Sequence, residues 1–297
     1  MQVVAVDWSG ARDGAANKIW TAVVRDGRLV ALENGRDREQ VCRFLLDLAA
    51  REPETAIGLD FAFSLPAWFL RERRLAWAPD LWKLARDEGE GWLSTCRPPF
   101  WGRGATKRPP LPAHFRWTDR QIKVGGISPK SVFQIGGAGA VGTGSVRGWP
   151  CLQALREGGI GIWPFDGGAL PVAVEVYPRL LTGPVVKSSA GARAAYLKQR
   201  LPGLPPEELA KAAGSEDAFD AAVAAMAMYA FRDHLRRLPP VTDKTLLMEG
   251  VIWDPAFVDR SGDGHLQVPE PDHTPSAARS SSLPTAPVQW QMMLEGP

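Results

Sequence analysis

QVVAVDWSG at residues 2–10 and TAIGLDFAF at residues 55–63 decide how this chain is read. In each, mostly apolar residues lead to a single aspartate, Asp7 or Asp60, at the end of a strand-like run. Between them lie IWTAVVRDG (19–27), RLVALENG (28–35) and DREQVCRFLLDLAAR (37–51). The first two read as strands bounded by the turn pairs Asp26-Gly27 and Asn34-Gly35. The third is helical, with Val41, Phe44, Leu45 and Leu48 on one face. The order is therefore βββαβ: a three-strand meander, then a helix crossing over to a fourth, parallel strand. If that strand lies beside the first, Asp7 and Asp60 leave the sheet at the same end, where open α/β sheets keep their ligand sites.

Outward from this core, residues 64–166 are expected to form a large insertion. PVAVEVYP (171–178) then reads as a fifth strand, and helices follow at 191–200 and from Glu216 to about Arg237. The core is expected to span 1–258, with 259–297, rich in Ser, Pro, Asp and His, as a disordered tail.

A chain of 297 residues, 45% hydrophobic and 23% charged, can bury a sizeable core. Cys42, Cys96 and Cys151 are far apart and odd in number, which speaks against a disulfide framework or a cysteine zinc site and suits a reducing cytoplasm. No leader-like segment or long apolar run is seen, so a soluble cytoplasmic protein without membrane partners is expected.

SEDAFD (215–220) precedes AAVAAMAMYAF, eleven residues without charge. Ser215 can cap this helix, and Asp217 and Asp220 then share a face. An acidic residue in a first helical turn complements the helix dipole, which is the bland reading of Asp217. Asp220 borders a buried segment and needs a cation or donors. Glu175 lies inside an apolar strand and is either a fifth carboxylate of the site or the ion-pair partner of an arginine such as Arg179 or Arg193. Several converging carboxylates repel one another unless divalent cations hold them, and hard ions such as Mg²⁺ or Mn²⁺ take oxygen ligands.

VDWSG, GLDFAFSLP, PPFWG, EVYP and EDAFDAAVAA, together with the βββαβ order, resemble the predicted RNase H-like nucleases of domain-of-unknown-function family 429, close to the resolvase branch of the RNase H-like superfamily. The resemblance covers roughly residues 2–256. It implies a mixed sheet flanked by helices and a nuclease cutting phosphodiester bonds with two metal ions. It also assigns Asp7, Asp60, Glu175, Asp217 and Asp220 to the acidic motifs, with Asp7 bridging both metals and Asp60 and the helix pair completing one sphere each.

Residues 64–160 hold 15 Lys/Arg against 7 Asp/Glu, and the rest of the chain 20 against 26, so the net charge of +2 hides a basic segment. Between Arg97 and Lys130 cations alternate with aromatics, which suits a nucleic-acid partner; the contacts expected are Arg97, Trp101, Arg103, Lys107, Arg108, His114, Arg116 and Lys123. The alternative is that the rings pack on the core. Gly137 to Gly142 matches GxGxxG, but Gly144, Gly148 and Pro150 follow, so a loop is expected rather than a dinucleotide site. Asp7 to Gly10 also resembles the phosphate loop of sugar kinases and related ATPases, which keeps an ATP-dependent phosphotransferase as an alternative. Trp8 stands where those loops need a second glycine and is expected to obstruct phosphate. A catalytically silent nucleic-acid-binding module is the third reading.

Overall fold

The computed structural model describes residues 1–104 and 112–255. Six strands, β1 (Gln2–Asp7), β2 (Trp20–Arg25), β3 (Arg28–Glu33), β4 (Thr55–Leu59), β5 (Gly161–Ile162) and β6 (Val172–Glu175), form one sheet in the order β3-β2-β1-β4-β6-β5. β1 to β3 are an antiparallel meander, while β4 runs parallel to β1 and β6, and β5 parallel to β6. Asp26 and Gly27 both adopt positive φ, 47° and 73°, as a two-residue turn matching the twist of β2 and β3 requires.

Helices cover both faces, α1 (Arg38–Arg51), α2 (Ala67–Glu72), α3 (Ala78–Thr95), α4 (Trp117–Gln121), α5 (Val141–Glu157), α6 (Pro178–Thr182), α7 (Ala190–Arg200), α8 (Pro206–Gly214), α9 (Glu216–Ala230), α10 (Arg232–Leu235) and α11 (Leu246–Glu249). Asp37 caps α1, accepting from Gln40 N at 2.8 Å while Gln40 Oε1 accepts from Asp37 N at 2.8 Å. Strand alternation sorts the core. Val4, Val6, Ile57, Leu59 and Ala173 face α1, α3 and α5, and Val3, Ala5, Ala56, Val172 and Val174 face α9. The alanines of α9 let it lie close on the meander. Gly58 completes the fit, because a Cβ there would sit 2.4 Å from the Met228 sulfur.

Several expectations are corrected here. The glycine-rich stretch at 137–150 is not simply a loop: α5 begins at Val141 and runs seventeen residues through Gly142, Gly144, Gly148 and Pro150. Its glycines serve packing rather than flexibility, since a Cβ on Gly148 would strike the Phe61 ring at 2.5 Å. Tertiary contact thus overrides helix propensity. Cys42 and Cys151, 109 residues apart, are joined as a disulfide because α1 packs on α5, against the expectation of unpaired thiols. Segment 64–166, read as an insertion, supplies α2 to α5 and the edge strand β5. The helix expected to reach Arg237 ends at Ala230 and is followed by the short α10. The tail expected at 259–297 lies outside the described residues. Among the described residues no helix is long and apolar enough to cross a membrane.

Candidate active site

The parallel β1/β4 ladder ends at the pair Val6 and Leu59, and Asp60 N donates to Val6 O at 3.1 Å just beyond it. Asp7 and Asp60 therefore leave the sheet together. Alternation places both on the face of Val3, Ala5, Ala56 and Gly58, the face covered by α9. Ser215 caps α9 by accepting from Ala218 N at 3.0 Å, which sets Asp217 in its first turn and Asp220 in its second. All four aspartates are partly exposed, so they line an opening rather than a sealed core.

The aspartates act on one another's charge. Burial, then the charges of Asp60, Asp220 and Asp217, push the Asp7 carboxyl well above the usual carboxylate range, against the pull of Lys187. Asp60 is pushed up to about 8, by burial first and by Asp220 next. Asp220 is raised by burial, which outweighs the opposing charge of Lys187. Asp217 is raised by burial and by Glu216, with Lys18 acting the other way. Burial and like charge together thus hold all of these carboxyls above their ordinary range.

Lys187 was not anticipated. Its Nζ lies 2.6 Å from Asp220 Oδ1 and 2.7 Å from Oδ2, largely buried. Two arginines hold the loop that carries it: Arg179 donates to Val185 O at 2.6 Å, and Arg193 donates to Ala213 O at 2.9 Å and to Lys187 O. These are the arginines expected to pair with Glu175. A lone lysine in VVKSSAG carries no sequence signal; only the strand order, which returns this loop to the mouth of β4, reveals it.

Glu175 is corrected from a site carboxylate to a structural one. It pairs in register with Leu59, one position before Asp60, so its side chain projects to the opposite face. There Arg116 donates to both its oxygens at 2.6 and 2.8 Å, and Phe63 N donates to it at 2.9 Å. The same guanidinium binds Asp119 at 2.8 and 3.1 Å and the Glu249 carbonyl at 3.2 Å. Arg116, 1% exposed, is accordingly removed from the expected nucleic-acid contacts. His114 is removed as well, being buried with its ring 5.3 Å from Phe133 and 6.0 Å from Trp68. Phe100 and Trp117 are core residues and Trp101 is half-buried, so the rings of this segment chiefly build the fold. Arg97, Arg103 and Lys123 are exposed, whereas Lys107 and Arg108 fall outside the described residues.

A groove of about 460 Å³ opens past the end of β1, lined by Ser9 to Arg12, Lys18, Arg103, Thr143 and Arg147 among others. Trp8 does not obstruct it as expected, because its ring turns into the core and packs 4.9 Å from Phe61. Gly10 meets α5 so closely that a Cβ would lie 2.4 Å from Gly144 N.

The donor set of Asp7, Asp60, Asp217 and Asp220 is all carboxylate oxygen, which fits Mg²⁺ or Mn²⁺ rather than a softer metal. Among the described residues no three acidic, histidine or cysteine side chains stand ready as a metal cage, and Asp220 is turned to Lys187. Three of these carboxylates against one lysine leave two negative charges, the complement of one divalent ion. No family model, curated protein or solved structure matches the chain.

Proposed function

We propose that this chain is a metal-dependent nuclease with an RNase H-like fold, akin to the predicted nucleases of family 429. The observation carrying the proposal is the mutual repulsion of Asp7, Asp60 and Asp220 where two adjacent parallel strands end, with carboxyl groups held above their ordinary range. A structural cluster is relieved by matched cations, and one lysine does not match three acids. Mg²⁺ or Mn²⁺ is the cofactor, and the family resemblance argues for two ions. When bound, such ions lower the pKa of water and offset the charge on the departing oxygen. Asp7, Asp60 and Asp217 are the groups to hold them, and Asp220 joins when it turns from Lys187. Hydrolysis consumes one water per bond: its oxygen joins phosphorus as the P–O ester bond breaks, and a proton ends on the departing sugar oxygen.

The test is Mg²⁺- or Mn²⁺-dependent cleavage of single-stranded, duplex, hybrid and branched nucleic acids. The parent is expected to cut at least one class, with Asp7→Asn and Asp220→Asn slower by about a hundredfold or more. If Lys187 were as permanent a partner for Asp220 as Arg116 is for Glu175, Asp220→Asn would cut like the parent.

A further inference from the structure

The groove past the end of β1 combines acceptors already engaged with two uncommitted cations. The carbonyls of Ser9, Gly10 and Ala11 each accept from an arginine, Arg38 at Ser9 and Ala11 and Arg147 at Gly10. Glu90, the one acidic residue of the lining among the described residues, is held by Arg147 at 2.6 and 2.9 Å. Further along, the Ile135 carbonyl accepts from Arg103 and Thr143 at 2.9 Å, and Leu93 O accepts from Arg103 at 2.8 Å. Arg12 and Lys18, by contrast, are exposed and make no ion pair among the described residues. The surplus in the lining is positive: Arg12, Lys18, Arg103 and Arg147 face Glu90 alone.

The groove adjoins the strand that carries Asp7. Ser9 and Gly10 of its lining follow Asp7 by two and three residues. The first turn of α5 contributes Thr143 to the same lining; its first two amides donate to Gly139 O and Gln134 O at 2.8 and 3.0 Å, and the helix dipole adds positive potential there. A cationic groove that starts two residues beyond Asp7 suits a ligand whose charge is repeated along its length.

We propose that this groove binds consecutive phosphates of one nucleic-acid strand through Arg12, Lys18 and Arg103, with Arg147 shaping its floor, and delivers that strand to the aspartates. The inference rests on the nuclease reading. It moves the binding surface from most of the basic aromatic segment to a groove that, among the described residues of that segment, Arg103 alone enters.

The experiment measures anisotropy of a fluorescein-labelled 20-nucleotide single strand with the full chain in EDTA, across a salt series. Arg12→Ala/Lys18→Ala is expected to weaken binding at least about tenfold and to lower the salt slope by roughly 1–2. Arg28→Ala/Arg43→Ala removes the same charge from exposed sites away from the groove and is expected to change affinity less than about twofold. Equal affinity in the groove variant and the parent overturns the proposal. So does displacement of the strand by ATP at low concentration, which makes the groove a nucleotide site. Failure of the two readings is separable. A strand that binds through the groove but is not cut with Mn²⁺ sinks hydrolysis and keeps the groove. Cleavage with an unchanged KM in Arg12→Ala/Lys18→Ala sinks the groove and keeps hydrolysis.

Discussion

Two acidic groups sit at the ends of neighbouring strands, one on each face of the sheet, and they are treated in opposite ways. On the α3/α5 face, Glu175 and Asp119 share Arg116, whose guanidinium engages both carboxylates through paired N–H donors, and Phe63 N supplies one more. On the α9 face, Asp7 and Asp60 have no such cation among the described residues, and Lys187 is ion-paired there with Asp220. The planar arginine fork matches two carboxylates at fixed angles, whereas a lysine is a point charge on a flexible stem. The first group is closed by its own partners. The second is left open to accept something else.

Breaking the closed group should have the largest effect. Arg116→Met leaves Glu175 and Asp119 buried without their cation, and a loss of about 3–5 kcal/mol in urea unfolding is expected. A loss below about 1 kcal/mol would erase the distinction between the two groups. In the open group the sign depends on which charge is removed. Lys187→Met should cost about 1–2 kcal/mol by releasing repulsion among the aspartates, while Asp7→Asn should leave stability unchanged or raise it by about 1 kcal/mol. Destabilisation by Asp7→Asn as severe as that by Arg116→Met would mark the aspartates as structural.

The smallest effect is a pH dependence. An unfolded aspartate ionises near pH 4, whereas Asp60 in the folded chain is pushed up to about 8 and Asp7 is raised too. The folded state thus binds more protons between these values, so stability falls as pH rises from about 4 to about 8, opposite to a salt-bridged carboxylate. Melting temperatures in EDTA should drop by a few degrees across that window. Mg²⁺ should restore them increasingly toward high pH, since it favours the ionised folded form. Asp60→Asn should flatten both trends; an unchanged profile in that variant would place the titration elsewhere.

The meander, α1, the fourth strand and the pairing of Asp7 with Asp60 were legible because local patterns carry them: alternation, turn pairs and a capped amphipathic helix. The fate of Glu175 was not legible. It hinges on a register offset of one residue between β4 and β6, which no run of residues announces. α5 was hidden because its glycines look like breaks until Phe61 is seen against Gly148. Cys42 and Cys151 meet only through helix packing, and Arg116 looked like a surface cation because its acidic partners are on α4 and β6. Long-range partners are what a linear pattern omits.

The contact between Gly58 and Met228 carries a chemical consequence. Met228 is fully buried, with its sulfur at the point where α9 rests on β4, about two turns along the helix from Asp220. Adding one oxygen to that sulfur would wedge helix from strand and draw Asp220 away from Asp60. Burial shields the thioether while the chain is folded, so peroxide reaches it only when α9 lifts. The rate at which peroxide oxidises Met228 therefore counts how often α9 lifts from β4.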